Sequence, residues 1–292
     1  ADIYAHIGDN EQALKLYENI LGISAESSKV AKKIEQLKDG KNQQIFETVK
    51  SAEEGIAKAL YDMALLLTRE HNDESARVFA QMALYLAPNM TEAKFILANL
   101  AGRNGQENEA IDAFLSITNE ADPERYVEAQ RMAAEILEDE KRTDEAIKIL
   151  IPLYKTYKDL DTLIQIGDIY RRQEDFRQAI KYYDMAEKEL GPEVPDDYWH
   201  LYYVRGMAYE QMKDWPHAEH DLKKALTYRP EHPFLLNDLG YAWADQGTNL
   251  DKALELIEKA ANLQPTDGYI TDSLGWVLYR MGRYEEAVPH LE

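Results

Sequence analysis

Three glycines, Gly206, Gly240 and Gly275, stand about 34 residues apart. The residues around them fall into columns. A large apolar residue follows three places later at Tyr209, Trp243 and Leu278, and a small one recurs further on at Ala218, Ala253 and Ala287. A second small residue follows at Ala225 and Ala260, and a proline closes the unit at Pro230 and Pro265. The same columns continue upstream through Gly167, Tyr170, Ala179 and Tyr183, then Ala134 and Ala146, Ala98 and Ala110, and Ala64 and Ala76. A fixed period of this length excludes an ordinary globule, because each unit holds only one helical hairpin and must bury its apolar stripe against the next.

The columns have a packing logic. Small residues let two antiparallel helices approach, and large residues at i+3 and i+4 fill the space beside them. Proline cannot continue a helix and marks each unit's end. Glycine, as in Asn104-Gly105, supplies the tight turn within a pair. These columns resemble the tetratricopeptide repeat, most specifically in Leu239-Gly240 with Trp243 and Leu274-Gly275 with Ala287. The resemblance implies an all-α solenoid, a right-handed superhelix of antiparallel helix pairs, that acts as a non-catalytic scaffold binding other proteins. About seven units are expected over 57–292, the last one truncated. Residues 1–56 are expected to hold a partial unit, from Ala13 and Tyr17, and an irregular helical segment. The polar stretch 22–56 is read either as an irregular helical pair around Asp39-Gly40 or as a degenerate unit. An insertion at "KELGPEVPDDYWHL" predicts a lengthened corner, and one extra residue near Asn249 a bulged turn. The pattern halts inside a second helix near Glu292, which reads as a piece of a longer array.

Composition narrows the partners. The chain carries 33 Lys+Arg against 54 Asp+Glu, a net charge of −21. Nucleic-acid binding and adsorption to anionic lipid both draw on cationic surface, so both are disfavoured. No apolar run predicts membrane insertion, and with no cysteine a thiolate site is excluded. No nucleotide-binding, hydrolase or metalloprotease motif is present, and no cofactor is expected. His217 and His220 lie three apart on a predicted second helix, but two ligands on a solvated face do not close a metal site.

In this architecture the first helix of each pair lines the concave face. Taken column by column, the resemblance points Arg131 and Glu135, Ile164 and Asp168, Tyr203 and Met207, Asn237 and Tyr241, and Asp272 and Trp276 into the groove. A later column adds Arg171, Glu210 and Tyr279. The paired cations that grip a terminal carboxylate in some members of the family are absent. The candidate partner-binding set is Arg171, Tyr203, Met207, Asn237, Tyr241, Asp272, Trp276 and Tyr279. Its aromatic rings bury much area at low entropic cost, and Asn237 has an amide suited to a peptide main chain. The alternative for Trp276 is packing against a following unit. The last ninety or so residues further resemble a proteobacterial family that includes outer-membrane lipoprotein adaptors of carboxyl-terminal processing proteases. That resemblance implies a bacterial periplasmic adaptor whose partners are a protease or its substrates; a cytoplasmic scaffold and a self-associating structural protein are the rival readings.

Overall fold

Helix follows helix among the described residues because each apolar stripe has a 3.6-residue period, and several starts carry a side-chain cap, as at Ser51, Asn72, Asp122, Asp159, Asp175 and Asp267. The computed structural model describes residues 1, 4–5, 8–21, 27–40, 51–119, 122–191 and 195–291. Among them the helices are α1 (Asn10–Leu21), α2 (Ser27–Lys38), α3 (Ala52–Arg69), α4 (Asp73–Leu86), α5 (Thr91–Arg103) and α6 (Glu107–Leu115). There follow α7 (Pro123–Asp139), α8 (Thr143–Tyr157), α9 (Leu160–Arg172), α10 (Phe176–Leu190) and α11 (Trp199–Gln211). The series ends with α12 (Trp215–Tyr228), α13 (Pro233–Gln246), α14 (Leu250–Leu263), α15 (Gly268–Arg280) and α16 (Tyr284–Leu291). No strand occurs among the described residues.

The chain forms two units, Ala1–Ile96 and Leu97–Glu292. In the first, α1 packs on α2 around Ala13, Tyr17, Ile34 and Leu37, and α3 packs on α4. α2 is a regular helix where an irregular segment is expected, and it ends at Asp39-Gly40, with Gly40 at φ +72°. The second half of the expected helical pair lies largely outside the described residues. α3 begins at Ala52, ahead of residue 57, because Ser51 accepts the Glu54 amide as an N-cap at 3.1 Å.

In the second unit, helices pair in sequence and each pair packs on the next. There is no single core. One buried cluster runs from Ile111 through Leu137 and Leu150 to Ile169, and the next from Tyr154 through Ile164 and Tyr183 to Leu201. A third runs from Tyr202 through Leu239, Trp243 and Ile257 to Leu278. Each cluster draws side chains from neighbouring pairs, so stacking supplies the burial that a lone hairpin lacks.

The small columns lie where the helices touch. Ala110, Ala146, Ala179, Ala218 and Ala253 are fully buried. At Gly240 an added Cβ would lie 2.7 Å from Ile257 Cγ1 and 2.9 Å from the Ala253 carbonyl oxygen. Gly206 has more room, its nearest atom being Leu222 Cγ at 3.3 Å. Arg205, beside it, is buried with full compensation. Its guanidinium donates to Asp221 at 2.7 and 3.0 Å, to Asp184 at 2.8 Å and to Glu187 at 2.5 Å, tying α11 to α10 and α12.

The turns inside the pairs correct the glycine expectation. Gly105 and Gly282 occupy the left-handed region, but so do His71, Lys141, Glu174 and Lys213 at the equivalent turns. Side-chain-bearing residues accept that conformation at a cost of about 1–2 kcal/mol each. The next amide bonds back into the preceding helix, as Asp214 N does to Tyr209 O at 2.9 Å and Asp175 N to Tyr170 O at 2.9 Å. The extra residue near Asn249 is absorbed by two left-handed positions, Gly247 at φ +70° and Asn249 at φ +48°. Proline also does more than end units: Pro123, Pro216 and Pro233 start helices, whereas Pro152 and Pro289 lie inside them.

These two glycines separate close approach from helix propensity. Gly240→Ala must displace backbone, so a loss of about 1–3 kcal/mol in denaturant unfolding is expected. Gly206→Ala meets Leu222 Cγ at 3.3 Å, Asp221 Cβ at 3.4 Å and the Ala218 carbonyl oxygen at 3.5 Å, none closer than 3.3 Å, and gains helix propensity, so its change stays within about 1 kcal/mol. Equal losses at both positions would contradict this account of the column.

Candidate functional site

The groove of the second unit is built from first helices α7, α9, α11, α13 and α15, and it has two parts. α7 and α9 meet over little of their length, as do α9 and α11, whereas α13 and α15 pack closely. Between the spread helices lies a solvent-open cavity of about 500 Å³. Arg131 and Glu135 from α7 and Ile164 and Asp168 from α9 all line it, so four residues from the groove columns share one concavity. The insertion contributes too. A 3₁₀ turn at Asp196–Tyr198 leads into α11 and brings His200 to the cavity's edge.

Cations and carboxylates in the cavity are largely paired. Arg131 donates to Asp161 at 3.1 Å, while Gln165 returns a bond to the Arg131 carbonyl at 3.0 Å. Arg172 forks onto Glu138, which places one residue of the acidic run Glu138-Asp139-Glu140 in the cavity wall. Asp168 accepts the Tyr183 hydroxyl at 2.6 Å. Arg171 lies with its Nε 3.7 Å from Asp168 Oδ1.

Towards the C-terminal end the groove becomes aromatic and tighter. The Tyr203 hydroxyl donates to Asp238 Oδ2 at 2.8 Å, and Asn237 Nδ2 donates to Asp238 Oδ1 at 3.1 Å. Burial pushes the Asp238 carboxyl up, against the opposing pull of Tyr203, Asn237 and Tyr269. Burial and the Asp238 charge raise the Tyr203 hydroxyl far above the ordinary tyrosine range. Tyr269 is pushed up to about 12 by burial and by Asp238. Glu210 sits within this field. Burial first, then the charges of Asp238 and Asp245, push it up to about 7.

The expected binding set is therefore only partly one surface. Tyr203, Met207, Tyr241 and Trp276 are half-buried, with Asp272 and Tyr279 exposed. Trp276 stacks on Tyr279 with ring centroids 5.6 Å apart, and the Arg280 guanidinium lies over the Trp276 ring at 5.6 Å. Asn237 departs from expectation. It is wholly buried, with its Oδ1 lacking a partner among the described residues, so its amide is not part of the accessible wall. The close packing of α13 on α15 covers it. Asp238 and Tyr269, which organise this region, were not singled out by the repeat columns. A carboxylate one place past a groove position reads from sequence as surface charge.

His217 Nδ1 donates to the Asp214 carboxylate at 2.8 Å, and no cluster of three metal-ligating side chains occurs among the described residues. No described helix is long and apolar enough to cross a membrane.

The tetratricopeptide repeat profile matches residues 47–292. The chain belongs to the tetratricopeptide repeat family. A TPR repeat-containing protein of Pseudomonas aeruginosa is 30% identical over 199 residues, which are 68% of this chain and 33% of that protein. This chain thus spans about a third of the length of that relative. Among solved structures, the C-terminal part of a TPR repeat-containing protein from Cytophaga hutchinsonii aligns with a TM-score of 0.61 at 18% identity, covering 79% of this chain and 93% of that one. A tetratricopeptide repeat protein from Parabacteroides merdae aligns with a TM-score of 0.59 at 14% identity, covering 81% and 91%. At such identities the structures share the fold alone. Repeat proteins of this family bind other proteins or peptides and are generally non-catalytic scaffolds.

The Glu210 environment makes a pH prediction. Its folded-state pKa is raised from 4.5 to about 7, so the folded state holds a proton that the unfolded state releases. Stability from this residue is full below about pH 4.5 and is lost as pH rises towards 7. Glu210→Gln is expected to stabilise the protein by about 1–2 kcal/mol at pH 8, and to flatten thermal stability between pH 5 and 7. A variant whose pH profile parallels that of the parent would refute the assignment.

Proposed function

We propose that this chain is a non-catalytic adaptor that holds partner proteins along the concave face of its second unit. The observation that carries the reading is the half-exposed aromatic wall of Tyr203, Tyr241 and Trp276 on consecutive first helices. Of these rings Tyr203 has its hydroxyl held by Asp238 at 2.8 Å, Tyr241 is half-exposed, and Trp276 is stacked on Tyr279, so together they offer aromatic area to a guest. A stiff stacked array binds without ordering its own backbone, which removes one cost of association. Within this class, the resemblance of the last ninety residues to a proteobacterial repeat family that includes such adaptors is the ground for proposing a bacterial periplasmic adaptor that gathers a protease or its substrates.

The double variant Tyr241→Ala and Trp276→Ala is expected to lose the proteins that the parent retains from its host lysate, as identified by mass spectrometry. Both rings are half-exposed, so the melting temperature should fall by only a few degrees. Unchanged retention would end the groove reading. A collapse in melting temperature would instead make the rings core.

A second reading has its own support. In the first unit Ile56, Met63 and Leu66 on α3 and Val78, Met82 and Tyr85 on α4 are exposed, Tyr85 at 86%. An apolar stripe of this kind suits contact with another copy. Light scattering across a concentration series tests it: a mass that grows with concentration favours self-assembly, and a constant monomer mass removes it.

A further inference from the structure

We propose that the cavity between α7, α9 and α11 receives a lysine or arginine side chain of the partner polypeptide, so that the groove selects a cationic segment. This inference rests on the adaptor reading and narrows its partner.

Charge pairing inside the cavity decides which sign a guest must carry. Its cationic side chains are already satisfied: Arg131 is held by Asp161 at 3.1 Å, and Arg172 is forked onto Glu138. Neither is free for an anionic guest. Glu128 is occupied by Arg125 at 2.8 Å. Two acceptors remain. Glu135 on α7 is exposed and has no partner among the described residues. Asp168 on α9 spends Oδ1 on the Tyr183 hydroxyl and has Arg171 Nε 3.7 Å from that same oxygen, so Oδ2 is the atom left for a guest and Glu135 is the carboxylate with no cation beside it. Both residues line the same concavity.

The apolar part of the lining fits the same guest. Met132 and Ile164 line the cavity with the carboxylates. A lysine or arginine side chain lays its methylene stem on apolar surface and keeps its charged end among polar groups. Half-buried Met132 offers the stem its apolar surface, Ile164 being only 5% exposed, and Glu135 and Asp168 suit the end. Hydrogen bonds in which both groups are charged are about twice as strong as neutral ones. A chain with net charge −21 also draws cationic segments from a distance and repels anionic ones.

The test uses the full chain carrying ¹³C-methyl labels on methionine and isoleucine. The probes are an extended pentapeptide with a central arginine, its isosteric citrulline counterpart, and free arginine amide. The arginine peptide should give saturable shifts at the Met132 and Ile164 methyls. The citrulline peptide and free arginine amide should each bind about ten-fold more weakly or worse. Glu135→Gln should weaken the arginine peptide by a similar factor at unchanged melting temperature, because its carboxylate supports nothing in the fold. Equal affinity for arginine and citrulline overturns the inference. So do an unaffected Glu135→Gln variant, free arginine amide binding as well as the peptide, or no shift at these methyls up to millimolar probe. The two proposals fail separately. If the Tyr241/Trp276 variant loses its partner while arginine and citrulline bind alike, the adaptor groove stands and charge selection falls. Selective arginine binding alongside unaltered partner retention keeps the cationic site and sinks the aromatic wall.

Discussion

At Gly240 the backbone of α13 lies so near α14 that a single added carbon would sit 2.9 Å from the Ala253 carbonyl oxygen. That close approach governs the array. When a first helix lies against its second at a point without a side chain, with Ile257 packed onto Gly240, larger neighbours such as Leu239 and Trp243 join a cluster that reaches the adjoining pairs. Their burial requires a next unit, so pairing at the small column and stacking at the large ones are two consequences of one spacing. The result is a set of overlapping clusters in place of a centre, and a face of first helices left free for other uses.

This explains which features are legible in the sequence. The period, helix pairing and buried alanines follow from contacts between residues a fixed distance apart, and a fixed distance is visible in one dimension. The turns at His71, Lys141, Glu174 and Lys213 are not legible in that way. Each left-handed residue is held by a backbone bond from the residue that follows it to the preceding helix, and the energy of that bond does not depend on the side chain. Arg205 was equally hidden. Its acceptors Asp184, Glu187 and Asp221 each read as a solvated helix charge, and only the packing of three helices brings them to one guanidinium.

The groove columns show the same division. Arg131, Glu135, Ile164 and Asp168 converge on one cavity because α7 and α9 are spread. Asn237 occupies the column of the half-buried Arg131, yet it is wholly buried where α13 and α15 are not spread. The column fixes the direction in which a side chain leaves its helix. Whether that direction leads to solvent depends on the distance to the next first helix, which no single unit encodes.

Net charge takes on meaning through the same geometry. Many of the 54 acidic residues have structural duties. Asp122, Asp159, Asp175 and Asp267 cap helices, Asp221 and Glu187 neutralise Arg205, and Glu138 holds Arg172. Subtracting these leaves the negative character unevenly placed. Near the tyrosines, carboxyls are pressed together until burial and mutual repulsion push Glu210 up to about 7. In the cavity, by contrast, Glu135 is exposed. An acid that takes up a proton to remain in a tight place cannot also offer its charge to a guest. Between the spread helices an exposed carboxylate, Glu135, therefore faces a concavity, and the close-packed ones are where aromatic surface gathers.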